Sequence, residues 1–357
     1  MIKALAASFG HLAGIKRLTP VYLILGATWR CNARCITCFN HERLNREELG
    51  ELSVDEHRRT AQNMGPLLWL LFTGGEPILR RDLAEVAEVY YRKCSARRIT
   101  VPTNALLPKQ TLEATHALLD KCPRAGITIS LALDGSAGVH DEMRGVSGAF
   151  DALLETYDLL AQVKAQRQRL SINVNTVLCN RNLAAIPDLM ELVSERMPAA
   201  DFHGFELLRG KTPDADLAPP SADEYERLLE RLVPYWSRFP FYKGPFRRLI
   251  RAAKVQARLT ELDVLRGGRF RCLAGTVAAY VAPEGRVHFC EELDRPVGEL
   301  REAEYDFRKI WFGEEARRLR NFIAEKRCCC THSCFVGSSI LFDVSHYPSI
   351  MRRMIWP

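Results

Sequence analysis

Arg30-Cys31-Asn32-Ala33-Arg34-Cys35-Ile36-Thr37-Cys38-Phe39 places three cysteines in C-x3-C-x2-C spacing, just after the apolar run Tyr22–Ala27 that predicts a first strand. An iron–sulfur cube of the [4Fe–4S] type usually takes four thiolates. Three thiolates from one tight loop leave one iron without a protein ligand, as the open position of a catalytic zinc site does. A small molecule carrying an amine and a carboxylate can chelate that iron. The competing reading is a zinc loop. Zinc wants four closed ligands, but no fourth cysteine or C-x2-C partner follows and His41 is crowded.

Outward from this loop, short apolar runs alternate with helical patterns. Leu67–Phe72, Ile99–Val101, Ile127–Leu133, Leu170–Leu178 and Phe202–Leu208 read as further strands, several apolar on nearly every residue, as parallel strands covered on both faces are. Ser53-Val-Asp-Glu56 is a capping box that starts a helix running to about Met64. Arg81–Ser95, Pro108–Lys121, Ala149–Gln168 and Leu183–Arg196 predict the next helices. Such alternation gives right-handed βαβ units and an α/β fold, a partial parallel (β/α)6 barrel, with chemistry on the loops at the carboxyl ends of the strands. After Gly210 the pattern changes. Thr212–Ser221 reads as a connecting loop, and Glu224–Leu262 as helix interrupted at Pro234, Pro240 and Pro245. Val277–Val281 and Arg286–Phe289 flank Pro283-Glu284-Gly285 as a hairpin, and Asp306–Lys326 is helical before a cysteine-rich knot. The expected organisation is a helical extension (1–20), the barrel (21–210), a helical linker (211–271) and a small cysteine-rich domain (272–357).

Composition narrows the class. Hydrophobic residues make up 47% of the 357, enough for a packed core, and no apolar run of 18 or more residues spans a membrane. The start has no continuous apolar h-region or A-x-A-like site, so a cytoplasmic location is expected. There the twelve cysteines point to metal binding rather than disulfides. Nine of them fall within 31–38 and 272–334, while Cys94, Cys122 and Cys179 stand alone as small buried hydrophobes. The net charge of +7 reads chiefly as a solvated basic surface; no nucleic-acid partner is expected.

The C-x3-C-x2-C spacing with an aromatic, Phe39, after the third cysteine resembles the signature of the radical S-adenosylmethionine (SAM) superfamily. Phe72-Thr73-Gly74-Gly75-Glu76-Pro77, at the end of the second strand, is similar to that family's Gly-Gly-Glu-Pro motif. Paired glycines let backbone approach a ligand, and Glu76 can accept from the methionine ammonium. Ser130-Leu-Ala-Leu-Asp134-Gly135, followed by His140-Asp-Glu-Met-Arg144-Gly145, resembles the fourth-strand segment of the branch with auxiliary clusters. The resemblance implies a ribose contact for Ser130 and a carboxylate contact for Arg144. Asp134 is a further cofactor-binding candidate, with a turn role before Gly135 as its alternative. Thr103-Asn104-Ala105 resembles the third-strand Thr-Asn-Gly with its glycine replaced, and Asn175 and Leu207 are candidate ribose and adenine contacts.

Cys272-Leu-Ala-Gly275 and Val281–Cys290 resemble the opening of a SPASM or twitch module, which binds an additional iron–sulfur cluster. Cys272, Cys290 and Cys334 are the leading ligands. Adjacent side chains point different ways, so only one or two of Cys328, Cys329 and Cys330 face the same metal; Cys330 gives C-x3-C with Cys334, and Cys328 gives C-x-C-x3-C. One auxiliary [4Fe–4S] cluster is expected, with a four-cysteine structural zinc as the alternative.

The resemblance implies an order of events. An external one-electron donor, flavodoxin- or ferredoxin-like, reduces the first cluster, and SAM breaks to methionine and a 5′-deoxyadenosyl radical. That radical removes a hydrogen atom from an unactivated carbon of a small-molecule or peptide substrate, and the auxiliary cluster takes the remaining electron. Only thirty residues precede Cys31, too few for a leader-binding domain, which lowers the expectation of a ribosomal-peptide maturase. A lipid precursor is the other candidate. Ile2, Leu5, Phe9, Leu12 and Ile15 form one helical stripe and Ile350–Trp356 is basic and apolar, so peripheral membrane contact competes with packing on the barrel. A non-catalytic iron–sulfur redox protein is the reading from another class, and it has no need of Gly74, Gly75, Glu76 and Arg144.

Overall fold

The computed structural model describes residues 7, 8, 10–12, 18–46, 50–243, 246–325 and 327–355. Ile2, Leu5, Phe9 and Ile15 of the N-terminal stripe lie outside them. The first half of the chain runs β1 (Tyr22–Thr28), α1 (Val54–Gln62), β2 (Trp69–Gly74), α2 (Leu83–Lys93), β3 (Arg98–Thr103), α3 (Pro108–Lys121) and β4 (Gly126–Ala132). Then come α4 (Ala137–Arg144), α5 (Ala149–Gln166), β5 (Leu170–Leu178), α6 (Ile186–Arg196) and β6 (Phe202–Leu207). These six strands are parallel and lie side by side in chain order, the arrangement βαβ crossovers produce.

Local sequence explains the elements. Ser53 accepts from Glu56 N–H while the Glu56 side chain accepts from Ser53 N–H, a reciprocal cap on α1 that contributes about 1 kcal/mol. Every residue of β1 is buried because helices cover one side and the filled barrel interior the other. In β5, buried residues alternate with half-buried ones; Ile172 and Val174 pack under the helices, while Ser171, Asn173 and Asn175 face the open interior.

The expected C-terminal hairpin forms, its two strands pairing antiparallel through Tyr280 with His288 and Val281 with Val287, and it also joins the barrel sheet. After α7 (Ala222–Trp236) and α8 (Arg247–Leu265) come β7 (Ala278–Val281), β8 (Arg286–His288) and β9 (Pro296–Glu299). Strand β7 pairs in parallel with β1, so one nine-stranded sheet runs β6-β5-β4-β3-β2-β1-β7-β8-β9. Tyr22, Leu23, Ile24 and Leu25 of β1 therefore have partners on both edges, and one hydrophobic core runs from the barrel into Phe289, Phe307 and Trp311. Helices α9 (Phe307–Trp311), α10 (Glu314–Ala324), α11 (Ser333–Phe342) and α12 (Tyr347–Ile355) finish the chain. Helix α7 extends two residues past Pro234, whose missing N–H leaves the Glu230 carbonyl without its intrahelical donor. Cys94, Cys122 and Cys179 are buried.

On the open side of the barrel, α8 closes against β6 through buried charges. The Arg258 guanidinium donates to Glu261 at 2.9 Å and reaches Glu206 of β6 at 3.5 Å, while Tyr225 of α7 donates to Glu261 at 2.7 Å. The helical segment after Gly210 is thus a wall of the interior rather than a tether.

Candidate active site

Loops at the carboxyl ends of β1 to β4 converge on the first cysteine group. The loop is docked on the end of α4, where Arg34 N–H donates to Arg144 C=O and Ile36 N–H to Met143 C=O. Gly145 caps α4 at φ +62, and a Cβ there would stand 2.6 Å from Arg34 O, so a side chain would push the loop off the helix. Burial pushes the Cys31 thiol up to about 11 and Cys38 to about 12, with the neighbouring thiols adding to each. Three half-buried thiols on one loop suit a metal centre, whose binding replaces thiol protons. Arg144 supplies part of the compensating charge, its Nη1 lying 3.6 Å from Cys35 Sγ.

The glycines of the second motif have a packing role at this site. Gly74, at φ +112, and Gly75 press against the loop entering the cysteines: a Cβ would meet Thr28 O at 2.4 Å and Arg30 O at 2.2 Å respectively. Their lack of side chains lets β2 and the cysteine loop share one site. Glu76 is 2% exposed; it accepts from Ile78 N–H at 3.1 Å and Asn104 N–H at 2.7 Å. Burial pushes its carboxyl up to about 7 against those hydrogen bonds. With the Thr103 hydroxyl also bonded to it, the carboxylate uses three of its about four acceptor sites and keeps one for an ammonium.

Asp134 is not a turn residue. It is fully buried, its Oδ2 stands 2.6 Å from Arg144 Nη2 and its Oδ1 accepts from Val177 N–H at 2.9 Å. Its carboxylate thus holds Arg144 in place. Burial opposes the Arg144 charge, but Asp134 and Cys35 outweigh it and keep the guanidinium protonated. Arg144 Nε has no partner among the described residues and remains available to an anion. Ala105, where the motif carries glycine, adopts φ +62 and is buried; the left-handed turn costs an L-residue about 1–2 kcal/mol. Asn104 ties the turn to the cysteine loop by donating to Asn32 at 2.8 Å.

Ser130 and Asn175 lie half-buried on the inner side of β4 and β5. Leu207 does not join them. It shares a strand face with His203 and Phe205, which pack on Tyr235 and Trp236 of α7; the opposite face carries Glu206. Phe39 lies under the guanidinium of Arg209, 4.8 Å from ring centroid to carbon, and against Gly210 at the end of β6.

The second cysteine group is held by the added strands and α11. The thiols of Cys272, Cys328, Cys329 and Cys330 interact electrostatically, and Cys290 interacts with Cys330. Backbone N–H groups already point at the sulfurs, Ala274 N–H at Cys272 and Glu292 N–H at Cys290, as thiolates require. Cys334 sits beside Tyr22 and His332, nearer the barrel interior. Among the described residues no three Cys, His, Asp or Glu side chains ring a single ion. A cube does not need that, because its thiolates bind separate irons. Both groups fit iron–sulfur cubes in donor chemistry: Cys31, Cys35 and Cys38 would hold the first, and Cys272, Cys290, Cys334 and one or two of Cys328–Cys330 the second.

Sequence reading missed the bridge between the two groups. Thr73, next to Gly74, donates to Glu291 at 2.8 Å, and the other Glu291 oxygen lies 3.0 Å from His332 Nε2. Glu291 follows Cys290 and His332 lies between Cys330 and Cys334; that adjacency was the available signal. Trp29, two residues before Cys31, donates to Glu284 of the β7–β8 turn at 2.7 Å, a second tie.

Comparison with known proteins agrees with this geometry. Residues 27–193 match the model of the radical SAM superfamily, and residues 272–335 match SPASM, an iron–sulfur cluster-binding domain. The chain is 29% identical over 310 residues to an AdoMet-dependent heme synthase of Methanosarcina barkeri, covering 82% of each protein. It is 28% identical over 200 residues to a PqqA peptide cyclase of Rhodopseudomonas palustris, 53% of this chain and 49% of that one. The fold matches that of Streptococcus suis SuiB bound to S-adenosylmethionine with a TM-score of 0.61 at 17% identity, over 89% of this chain and 72% of that one. No helix among the described residues is long and apolar enough to cross a membrane. From the cysteine loop to the Cys-rich end, this chain belongs to the radical SAM superfamily and carries a C-terminal SPASM domain.

Proposed function

We propose that this radical SAM enzyme acts on a carboxylate-bearing tetrapyrrole, a flat small molecule of the heme class, with the auxiliary cluster taking the electron left on the substrate. When bound, SAM and its cluster supply a carbon radical that removes hydrogen from the substrate. The chain's own residues hold and orient. Glu76 receives the ammonium of SAM, Arg144 (fixed by Asp134) receives its carboxylate, and Ser130 and Asn175 offer polar contacts to the ribose from the inner wall. The observation that carries the reading is the extent of the likeness: that to the heme synthase runs through barrel and cysteine-rich segment alike, while that to the peptide cyclase spans about half the chain. The interior suits such a ligand. Tyr22 and Trp69 stack at 5.2 Å on its inner face, and the Lys254 ammonium lies 4.8 Å from the Phe202 ring with no carboxylate in ion-pair range among the described residues. An external one-electron donor, flavodoxin- or ferredoxin-like, completes the partners.

The test is anaerobic incubation of the iron-loaded protein with SAM, a reductant and an iron tetrapyrrole carrying propionates. We expect tetrapyrrole-dependent release of 5′-deoxyadenosine and a mass change in the tetrapyrrole, with Lys254→Met raising KM. SAM cleavage that ignores tetrapyrroles but responds to a precursor peptide would move the assignment to peptide maturation, as the cyclase likeness favours.

A further inference from the structure

The surface on the far side of α8 carries an unusual combination of groups. Seven large hydrophobic side chains are exposed among the described residues, and six of them come from two short segments, 241–249 and 341–351. Those six are Phe241, Phe246, Leu249, Leu341, Val344 and Met351, with Phe246 at 69% and Met351 at 62% exposure. The segments are neighbours in space. Helices α11 and α12 both pack on α8 around a small buried core of Ala252, Ala253, Ala257, Ile340 and Ile350, and Arg353 donates to Gln256 at 3.2 Å.

Exposed charge on the same segments has one sign; Asp343, between Leu341 and Val344, is buried and lies 3.9 Å from Arg271. From Ser237 to Thr260 the chain has seven Lys or Arg and no Asp or Glu; from Val344 to Pro357 it has two Arg and no acid. Arg258 turns inward to Glu206 and Glu261, and Lys254 to the Phe202 ring, but Lys243, Arg248 and Arg352 are exposed. None of those three has an ion-pair partner among the described residues. His11 of the N-terminal segment meets Phe342 edge-on at 6.4 Å, beside Leu341 of this face.

A basic patch alone is served by any polyanion. Protruding Phe, Leu, Val and Met between the arginines are not, because a nucleic acid backbone or an acidic protein face leaves them in water. A bilayer interface satisfies both, with anionic headgroups for the cations and the acyl boundary for the apolar side chains. We infer that the face built by residues 241–251 and 341–353 docks the enzyme on an anionic lipid bilayer. The inference goes beyond the substrate assignment and stands whichever substrate the interior takes.

Flotation of the full-length, iron-loaded protein with vesicles tests it, using phosphatidylcholine alone or with about 30% phosphatidylglycerol. We expect flotation with the anionic vesicles and not with the neutral ones, weakened between about 50 and 500 mM salt. Arg248→Ala with Arg352→Ala should weaken binding roughly thirtyfold. Phe246→Ser with Met351→Ser should weaken it at least tenfold, with iron content, circular dichroism and SAM cleavage unchanged. Wild-type protein that stays unbound to anionic vesicles overturns the inference. Binding that is lost with the arginines yet indifferent to Phe246 and Met351 also overturns it, and assigns the face to a nucleic acid or an acidic protein.

Discussion

Glu76→Gln separates what the buried carboxylate does for SAM from what it costs the protein. In the folded chain the Glu76 carboxyl sits at about 7 rather than at its ordinary 4.5, because burial outweighs the N–H groups of Ile78 and Asn104. Below pH about 4.5 both folded and unfolded chains hold the proton and there is no penalty. Between 4.5 and about 7 the folded chain holds it and the unfolded chain does not, so stability falls as pH rises. Above about 7 the loss is complete and amounts to about 3 kcal/mol. The variant's amide does not titrate, although its NH2 opposes one of the two backbone donors, a pH-independent loss of about 1–3 kcal/mol. In urea unfolding of the metal-free, reduced protein, the variant should be the less stable at pH about 5 and should draw level with wild type by pH about 8. SAM reverses the sign, because its ammonium needs the ionised carboxylate. Wild-type affinity, by equilibrium dialysis on loaded protein, should rise at least tenfold from pH about 5.5 to 7, while the variant binds roughly ten- to a hundredfold more weakly with a flat profile. A stability difference that does not change with pH, or a wild-type affinity flat across that window, would refute the reasoning.

Asp134→Ala leaves the Arg144 guanidinium buried without its partner and should destabilise the metal-free chain by about 3–5 kcal/mol in urea unfolding, with part of the loss recovered on iron loading as the thiolates take over as counter-charge. Anaerobically loaded protein should carry about eight irons, and changing Cys31, Cys35 and Cys38 together to Ala should leave roughly four by colorimetric iron assay. Zinc in place of the remaining set would make the second group structural. Cys272→Ala with Cys290→Ala should still release 5′-deoxyadenosine but form little oxidised product, read by chromatography on a variant shown to be folded and to hold about four irons. Normal product formation by that variant would remove the electron-acceptor role.

Much of the fold was legible because it is written in local patterns. The strand runs, the Ser53 capping box and the cysteine loop at the end of β1 depend on residues within a few positions of one another, where periodicity and spacing carry the information. The three-cysteine loop with Gly74-Gly75-Glu76 was enough to locate the site at the strand ends. Tertiary structure alone decided what each residue there does. Thr73 and Glu291 are 218 positions apart, and Trp29 and Glu284 are 255 apart. Asp134 read as a cofactor contact or a turn residue because its partner Arg144 meets it only once α4 folds back over the cysteine loop. Val277–Val281 read correctly as half of a hairpin, but nothing in its own residues says that its other edge will pair with β1. Leu207 faces α7 and Glu206 faces α8 by strand alternation, and those helices dock through buried charges and hydrogen bonds rather than any local signal. Backbone periodicity is set by neighbours in the chain; charge pairing, burial and strand partnership are set by neighbours in space, and only the folded chain brings those together.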